Sequence, residues 1–594
     1  MQSSNSEAPA AIVLRADHLV RNRRVAEAIR MLETAAASHP GDAGILVRLA
    51  EADLKAGQPR RARARVESLL ATGRPLPGRV HALCVRAGAA MKDMGWYRER
   101  LDAALREAPG SAEVQLLAGL DRLDRRQPAA ALRHLEAAVN LRPGHVSAAL
   151  ALARCLEALA DDARAERVLR AALELEPENN NLLINLANAL QRLERYDESL
   201  ETYRRCAAIA GPTASLLANV GALLRRKGAF DEARRVYLAA LAQDPGNASV
   251  LYNFSNLLKE TGDLDGAIRM VRRATAVDPG NAQLHWNLSL ALLARGDFRE
   301  GFAEYEWRWK YAGFPSRRRD FTQPLWDGSS LDGRTLLIHT EQGMGDVLQF
   351  LRYLPEIRGR GGRIVLECHD ALMTLLAGRP EIDVMIPRFA TPPAFDVHLP
   401  LLSAPYVLGH ATLDDLPADV PYLALPAGTA PFAIPEARPD RLKVGIVWGG
   451  NPQFSNDRAR SARLSHFLPL LGVEGVQLFS LQKGPREADL AGAPSDIVRL
   501  SDRIGDFRDT ASAMLQLDLV ISTCTSTAHL AGALARPLWV VLHHAPDWRW
   551  MVGRDDSPWY PTARLFRQDR PGDWAGVIDR VATALRTMAA APRG

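Results

Sequence analysis

Cysteine is scarce in this chain. Cys84, Cys155, Cys206, Cys368 and Cys524 are the five among 594 residues, with no C-x-x-C pair and no metal-ligand spacing. A disulfide framework and a zinc site are therefore not expected, and a reducing compartment is. Lysine is scarce too, so the positive charge is almost all arginine, and the net charge of +5 is spread without a long block of one sign. Arg317–Arg319 is too short to count as a nucleic-acid tail. No run of ~18 apolar residues exists to span a bilayer. The opening MQSSNSEAPAAIVLRADHLV lacks a basic n-region and a long apolar core, so no signal peptide is read and a cytoplasmic location is expected. The second half has no D-x-D at a strand end, and no metal is expected there. The length is too great for one core at about 100–200 residues per domain.

What the chain does have is a period. Prolines stand at 109, 143, 177, 245 and 279, with Gly211-Pro212 in the skipped slot, and Pro75 and Pro40 continue the series upstream. Small residues keep phase with them: Ala104, Ala138, Ala172, Cys206, Ala240 and Ala274, and seven residues earlier Ala131, Ala165, Ser199, Ala233 and Ala267. Small side chains at a fixed phase let two helices of a hairpin approach closely, and the proline ends the second helix. The 34-residue step resembles the tetratricopeptide repeat. About nine units are predicted from residue 9 to about 312.

A stacked array presents a surface suited to extended segments of a partner. Asn185, Asn219, Asn253 and Asn287 recur at the same step in the first helix of the last four units. Such side-chain amides can grip a peptide backbone whatever its sequence. A ladder of this kind resembles the one that O-GlcNAc transferases use on their substrates. The other reading is that each Asn hydrogen-bonds within the array.

Residues 300–327 hold Tyr305, Trp307, Trp309 and Tyr311, then an Arg-rich segment with prolines. Buried rings at a domain join predict a rigid contact; an aromatic cation site is the alternative. Beyond it, RTLLIHT (334–340), RIVLEC, DVMIP and FDVHLP alternate with helical or turn segments, which is α/β order. Pro/Ala/Gly-rich chain from 425 to 439 reads as a linker. A second series follows in KVGIVWGG (443–450), VQLFSLQ, DIVRL, DLVIST, PLWVVL and RLFRQ, with helices near 505–517, 525–535 and 574–590.

The stretch 518–542 organises this half. A buried strand runs into Thr-Cys-Thr-Ser-Thr and then a helix. Free N–H groups and the dipole make such a helix start an anion site, with Thr525, Ser526 and Thr527 adding donors. Simple capping is the competing reading.

The Gly343-Met-Gly345-Asp346 turn, the GNP–x–x–x–ND–x–x–R–S loop (450–461), SLQKG (480–484) and AHLAGAL…PDWRW…SPWYP…RLFRQ (528–568) together resemble a GT-B glycosyltransferase domain similar to heptosyltransferases, in the version fused to tetratricopeptide repeats. Flagellin glycosyltransferases share this layout. The expected fold is thus an α-superhelical repeat array (1–312), a junction (313–333), and an α/β GT-B fold of two Rossmann-like units, an acceptor-side unit (334–428) and a nucleotide-sugar unit (441–594) joined by a linker (429–440).

The resemblance makes Asp346 the general base toward an acceptor hydroxyl, in a loop with Gln342, Gly343 and Gly345 whose glycines admit the acceptor. N-capping is the alternative. On the donor side it points to Asn451, Arg458, Arg460, Arg463, Ser480, Gln482, Lys483, Cys524, Thr525, Ser526, Thr527 and His529, cations and N–H dipoles quenching the leaving phosphate without a metal. Asn456 is read with Asn451 as shaping the loop. Asp509 and Thr510 open a helix, by capping or ribose contact. Relatives usually carry Asp-Thr where this chain has Cys524-Thr525. Losing that anion suits an acidic sugar such as a CMP-linked nonulosonic acid, pseudaminic acid for example; Cys524 as a nucleophile is a further alternative. The first expectation is a metal-independent protein O-glycosyltransferase acting on flagellin or a similar acceptor held by the repeats, with the nucleotide sugar as substrate and no cofactor. The rivals are a nucleotide-binding adaptor and a transferase for lipid-linked or polysaccharide acceptors.

Overall fold

A computed structural model of the chain describes residues 8–72, 76–434, 436–454 and 457–591. Pro75 and Asn456 lie outside them. Among the described residues, nine antiparallel helix pairs run from Pro9–Arg21 to Phe298–Tyr305, and none of the helices is long and apolar enough to cross a membrane. The starts are locally specified: Asn179 accepts from Leu182 N at 3.3 Å, Thr213 from Leu216 N at 3.3 Å and Asn247 from Val250 N at 3.1 Å, each satisfying an orphan amide. The in-phase small residues are buried throughout. Their reason is visible at Gly221, where a Cβ would come 2.6 Å from the Tyr237 ring of the paired helix.

The chain divides into two compact units, Met1–Gln243 and Asp244–Gly594. This departs from a boundary at 312. Although repeat helices do end near there, the last two pairs share a core with the α/β part. Phe298, Phe302 and Tyr305 join Leu331, Leu336, Trp548 and Trp559 in one apolar cluster, with Phe298 and Trp559 centroids 5.8 Å apart and Phe302 and Trp548 6.1 Å apart. Each such ring buries on the order of 150–250 Å², about 4–6 kcal/mol of gross transfer free energy. The rings of the junction hold the chain's own cations: Lys310 lies 3.9 Å over Trp307, and Arg308 4.8 Å over Trp309.

The α/β part contains two all-parallel sheets. The first comprises β1 (Thr335–His339), β2 (Arg363–Cys368), β3 (Val384–Pro387) and β4 (Val397–Pro400), in the order β3-β2-β1-β4. The second comprises β5 (Leu442–Val447), β6 (Val476–Ser480), β7 (Ile497–Arg499), β8 (Leu519–Ser522), β9 (Leu538–Leu542) and β10 (Ala563–Arg567), in the order β10-β9-β8-β5-β6-β7. All ten strands fall on the apolar runs of the sequence, which are near-continuous because both faces are covered. The segment between the sheets is irregular and anchored, with Phe432 N donating to Ser512 Oγ at 2.9 Å.

Candidate functional site

The second sheet has the doubly wound order. Its first strand, β5, sits centrally, with β6 and β7 on one side and β8 to β10 on the other, so the loops after β5 and β8 diverge and open a crevice at the carboxyl ends. The first sheet repeats this arrangement, with its parting between β1 and β4.

The loop after β5 is held by buried polar contacts. Gln482 Oε1 accepts from Trp448 N at 3.1 Å and Gly449 N at 3.0 Å, while its Nε2 donates to the carbonyls of Gly449 at 2.9 Å and Lys483 at 3.0 Å. Asp457, buried, accepts from Ser461 Oγ at 2.7 Å, and Ser461 Oγ accepts from Gly450 N at 3.0 Å. Two arginines flank Asp457: Arg486 in an ion pair, and Arg460, whose Nε is 3.5 Å away. Glycine at 449 and 450 makes room for these arginines, since a Cβ would meet Arg486 Cδ at 2.2 Å and Arg460 Nη2 at 2.6 Å respectively and displace them.

After β8, Cys524 is buried and its sulfur accepts from Trp550 Nε1 at 3.1 Å. Burial pushes the thiol up to about 11, against the pull of nearby Arg460 and Arg549. A buried neutral thiol is no nucleophile at neutral pH. His529 packs on Trp550 at 5.3 Å and pairs with Tyr560 OH at 2.8 Å. Burial holds it neutral, down to about 3.

The two halves meet at Arg549, which is 5% exposed. It forms ion pairs with Asp346, after β1, and with Asp547, at 2.9 Å. Asp346 is the third residue of the helix Met344–Phe350, and its other oxygen accepts from Gly343 N at 2.8 Å. Burial raises the Asp346 pKa, with Arg549 and the Gly343 N–H opposing it. Burial also works against the Asp547 carboxylate, but Arg549 outweighs it and holds that group below the usual range. Thr523 Oγ1 and Arg549 Nε are buried around these strand ends without a hydrogen-bond partner in the protein. Buried polar atoms are rarely left so; the ends of the first sheet hold two more, Thr340 Oγ1 and Glu341 Oε2.

Several expected site residues are brought together and several are not. Asp346, Cys524 and Arg460 share one neighbourhood. Thr525 caps the helix Ser526–Ala533 by position, its hydroxyl 3.0 Å from Ser522 Oγ. Thr525, Ser526 and Thr527 are half-buried. Gly345 faces this helix start and not an open acceptor space, since a Cβ there would lie 2.9 Å from His529 Cδ2 and 3.3 Å from Ser526 Cα.

Ser480 and Gln482 are corrections, being buried parts of the loop scaffold. Lys483 is committed to Ser501 O at 2.8 Å, and His529 is a neutral core contact. Arg458 and Arg463 are exposed. Asn451 shapes its own turn, accepting from Gln453 N at 3.0 Å. Gln342 N donates to Ser316 Oγ at 2.8 Å and its side chain to Tyr305 OH, tying the loop after β1 to the last repeat. Asp509 closes its own helix start, accepting from Gly505 N at 2.9 Å, and Thr510 Oγ1 donates to Asp506 O at 2.9 Å, which is the capping reading. Asp547, Arg549 and Arg308 were missed. The PDWRW block contains the first two.

The four asparagines all fall on the sixth residue of their helices. Asn185 is exposed and donates to Asn181 O at 2.8 Å. Asn219, Asn253 and Asn287 are half-buried, and Asn287 Nδ2 has no partner. Asn185 and Asn219 belong to the first compact unit, Asn253 and Asn287 to the second.

Models of the tetratricopeptide repeat match residues 19–86, 122–174 and 224–296, and a further one matches 178–244. The helix pairs are tetratricopeptide repeats. The chain is 31% identical over 328 residues to protein FlbA of Caulobacter vibrioides, covering 50% of this chain and 54% of FlbA. It thus spans about half the length of the curated relative it matches. Similar solved structures include the APC/C hetero-tetramer Cut9-Hcn1 (13% identity, 49% of this chain and 57% of that chain, TM-score 0.37) and TTC0263, a TPR protein of Thermus thermophilus (21% identity, 31% and 100%, TM-score 0.28).

Proposed function

We propose that the protein is a metal-independent GT-B glycosyltransferase that moves a sugar from a nucleotide-sugar donor to a Ser or Thr hydroxyl of a protein bound by the repeats, flagellin being the leading acceptor. The observation that carries this reading is the pair of parallel sheets whose strand ends converge on Arg549 between Asp346 and Asp547. The donor's phosphate would lie at the ends of β5 and β8, where Arg460, Arg549 and the start of the helix Ser526–Ala533 supply positive charge for the departing nucleotide. Asp346 would receive the acceptor proton while Arg549 holds its position. Cys524 adds no charge beside these groups, which favours an acidic sugar of the CMP-nonulosonic type. The location of such a reaction would be the cytoplasm.

Incubation of the purified chain with flagellin and a panel of nucleotide sugars, CMP-pseudaminic acid included, should add one or more sugar masses to intact flagellin. Asp346→Asn should abolish the addition while nucleotide binding persists; turnover within about tenfold of the parent would remove the base role. A nucleotide-binding adaptor is the second reading, and it is favoured by the engagement of both Asp346 oxygens. It predicts nucleotide binding with no mass change under any donor.

A further inference from the structure

The first compact unit carries a groove of its own. Two cavities, of about 250 and 600 Å³, share Glu51, Arg79 and Arg86 and extend along the first helices of successive repeats. Their walls come from Ala43–Lys55, Gly78–Met91 and Ala112–Asp124 among others. Arg79, Leu83 and Arg86 lie at i, i+4 and i+7, which is one face of a helix. The register is informative. Arg48, Leu83 and Leu117 are the sixth residues of their helices, the position that carries Asn185 and Asn219 further along. One face of the repeat therefore changes chemistry within the unit, from guanidinium and leucine to amide.

The charge of this groove is unbalanced. Five cations line the two cavities, Arg48, Lys55, Arg79, Arg86 and Arg142, against the three carboxylates Asp17, Glu51 and Glu113. The carboxylates show how the arginines bind: Arg79 holds Glu51 through Nε at 2.6 Å and Nη2 at 2.8 Å, and Arg48 holds Asp17 and Glu51 at 2.8 Å each. Arg79 is 49% exposed in its pair, and exchanging so open an ion pair for an incoming carboxylate costs little. Arg86 and Lys55 are exposed at the same face. Leu116, Leu117 and Leu120 supply an apolar floor beside them.

We propose that this groove binds an extended acidic protein segment, its carboxylates on Arg79 and Arg86 and an apolar residue between them on Leu117 and Leu120. The site is separate in place and chemistry from the asparagine column, and its occupancy does not depend on any transferase activity. The probe is a fluorescein-labelled ten-residue peptide of mixed Glu and Leu, titrated into the full chain by anisotropy and compared with its Gln/Leu counterpart. The Glu peptide should bind at least about tenfold more tightly, and its affinity should fall severalfold between 50 and 300 mM salt, as screening of paired charges requires. Arg86→Glu should weaken it by about tenfold or more, and Arg86→Gln by less. Thermal melts of both variants establish that they are folded; the exposure of Arg86 leads us to expect unchanged melts. Equal affinity for the two peptides, or indifference to Arg86→Glu in a folded protein, overturns the proposal. So does displacement of the Glu peptide by oligo-dT at lower concentration than by unlabelled peptide, which would make the groove a general polyanion site.

Discussion

At the parting of β1 and β4 one wholly buried arginine is saturated with hydrogen bonds, whereas at the parting of β5 and β8 the arginines are not. Each crevice also holds buried polar atoms without a partner in the protein, Thr340 Oγ1 and Glu341 Oε2 in the first and Thr523 Oγ1 in the second. In the first crevice Arg308, wholly buried, donates to Glu341 Oε1 at 2.8 and 3.1 Å, to Ser403 Oγ at 2.7 Å and to Glu306 Oε1 at 2.6 Å. Burial lifts Glu341 to about 7 even with that guanidinium beside it. In the second, Arg549 keeps a buried Nε without a hydrogen bond, and Arg460 Nε has only the Asp457 carboxylate 3.5 Å away. The topology offers two equivalent ligand positions, and the chain has turned one into a structural tie to the last repeat. Strand order alone therefore marks where a ligand can sit; what differs between the two positions is how fully the buried arginine is bonded.

Acid should have the largest effect, and it should strike both crevices. Burial holds His339 at about 3 and His369 at about 4 near the first, and His529 at about 3 and His543 at about 4 near the second. Below pH 6.5 the unfolded chain binds protons that these four rings refuse, so stability falls as pH falls, over the window from about 6.5 down to 3. The fall is offset in part by Glu341 and Asp346, whose raised pKa values let the fold keep protons that the unfolded chain gives up. The slope is at most about 1.4 kcal/mol per pH unit for each ring. Ten of the eleven tryptophans lie in the second compact unit, so urea unfolding followed by tryptophan fluorescence reports on it. A midpoint flat between pH 7 and 5 would mean that the rings take up protons in the fold as readily as in the unfolded chain, or that the raised carboxyls cancel them.

Arg308→Met should come next, because it leaves the buried Glu341 and the half-buried Glu306 without their cation. A loss of about 3–5 kcal/mol is expected, reduced to the extent that Glu341 protonates. Arg308→Met combined with Glu341→Leu should recover most of it, measured by the same urea titration. If Arg308→Met instead left stability intact and weakened nucleotide binding, the two crevices would have to exchange roles.

Gly345→Ala probes the contact between the crevices. A methyl 2.9 Å from His529 Cδ2 must displace a packed ring and a helix backbone, costing about 1–3 kcal/mol. The melting temperature should fall accordingly, and an unchanged value would mean that the two helices stand further apart.

Sequence revealed some of this easily. Repeats were legible because a 34-residue period copies the same local packing many times, and strands because a doubly covered parallel sheet needs unbroken apolar runs. The positions of Asp346 and Cys524 just after strands were legible from motifs. Ser480 and Gln482 were misread because a polar residue in such a motif looks the same whether it faces a ligand or braces the loop, and only the four bonds of the Gln482 amide distinguish the two. Arg308 was invisible for another reason. Glu341 and Ser403, the partners that hold it at the sheet, lie 33 and 95 residues away, and no local pattern announces a guanidinium that a helix exit delivers there.

The smallest expected effect is the one that separates the crevices most cleanly. Arg460 is partly exposed, stacks 4.3 Å over Phe454 and lies within 3.5 Å of Asp457, which keeps Arg486 as a closer partner. Its removal leaves no buried charge without compensation, so Arg460→Ala should change unfolding free energy by no more than about 0.5 kcal/mol. If the open polar atoms after β5 and β8 hold a nucleotide's phosphate, the same variant should lose about tenfold in nucleotide affinity, about 1.4 kcal/mol, read by isothermal titration with CDP and UDP. Arg308→Met measured in parallel should show the reverse pattern, a large fall in stability and near-parent affinity in the folded fraction. Identical losses in both variants would reduce the distinction to general electrostatics of the strand ends, whereas opposite patterns would establish that one crevice holds the fold and the other holds the ligand.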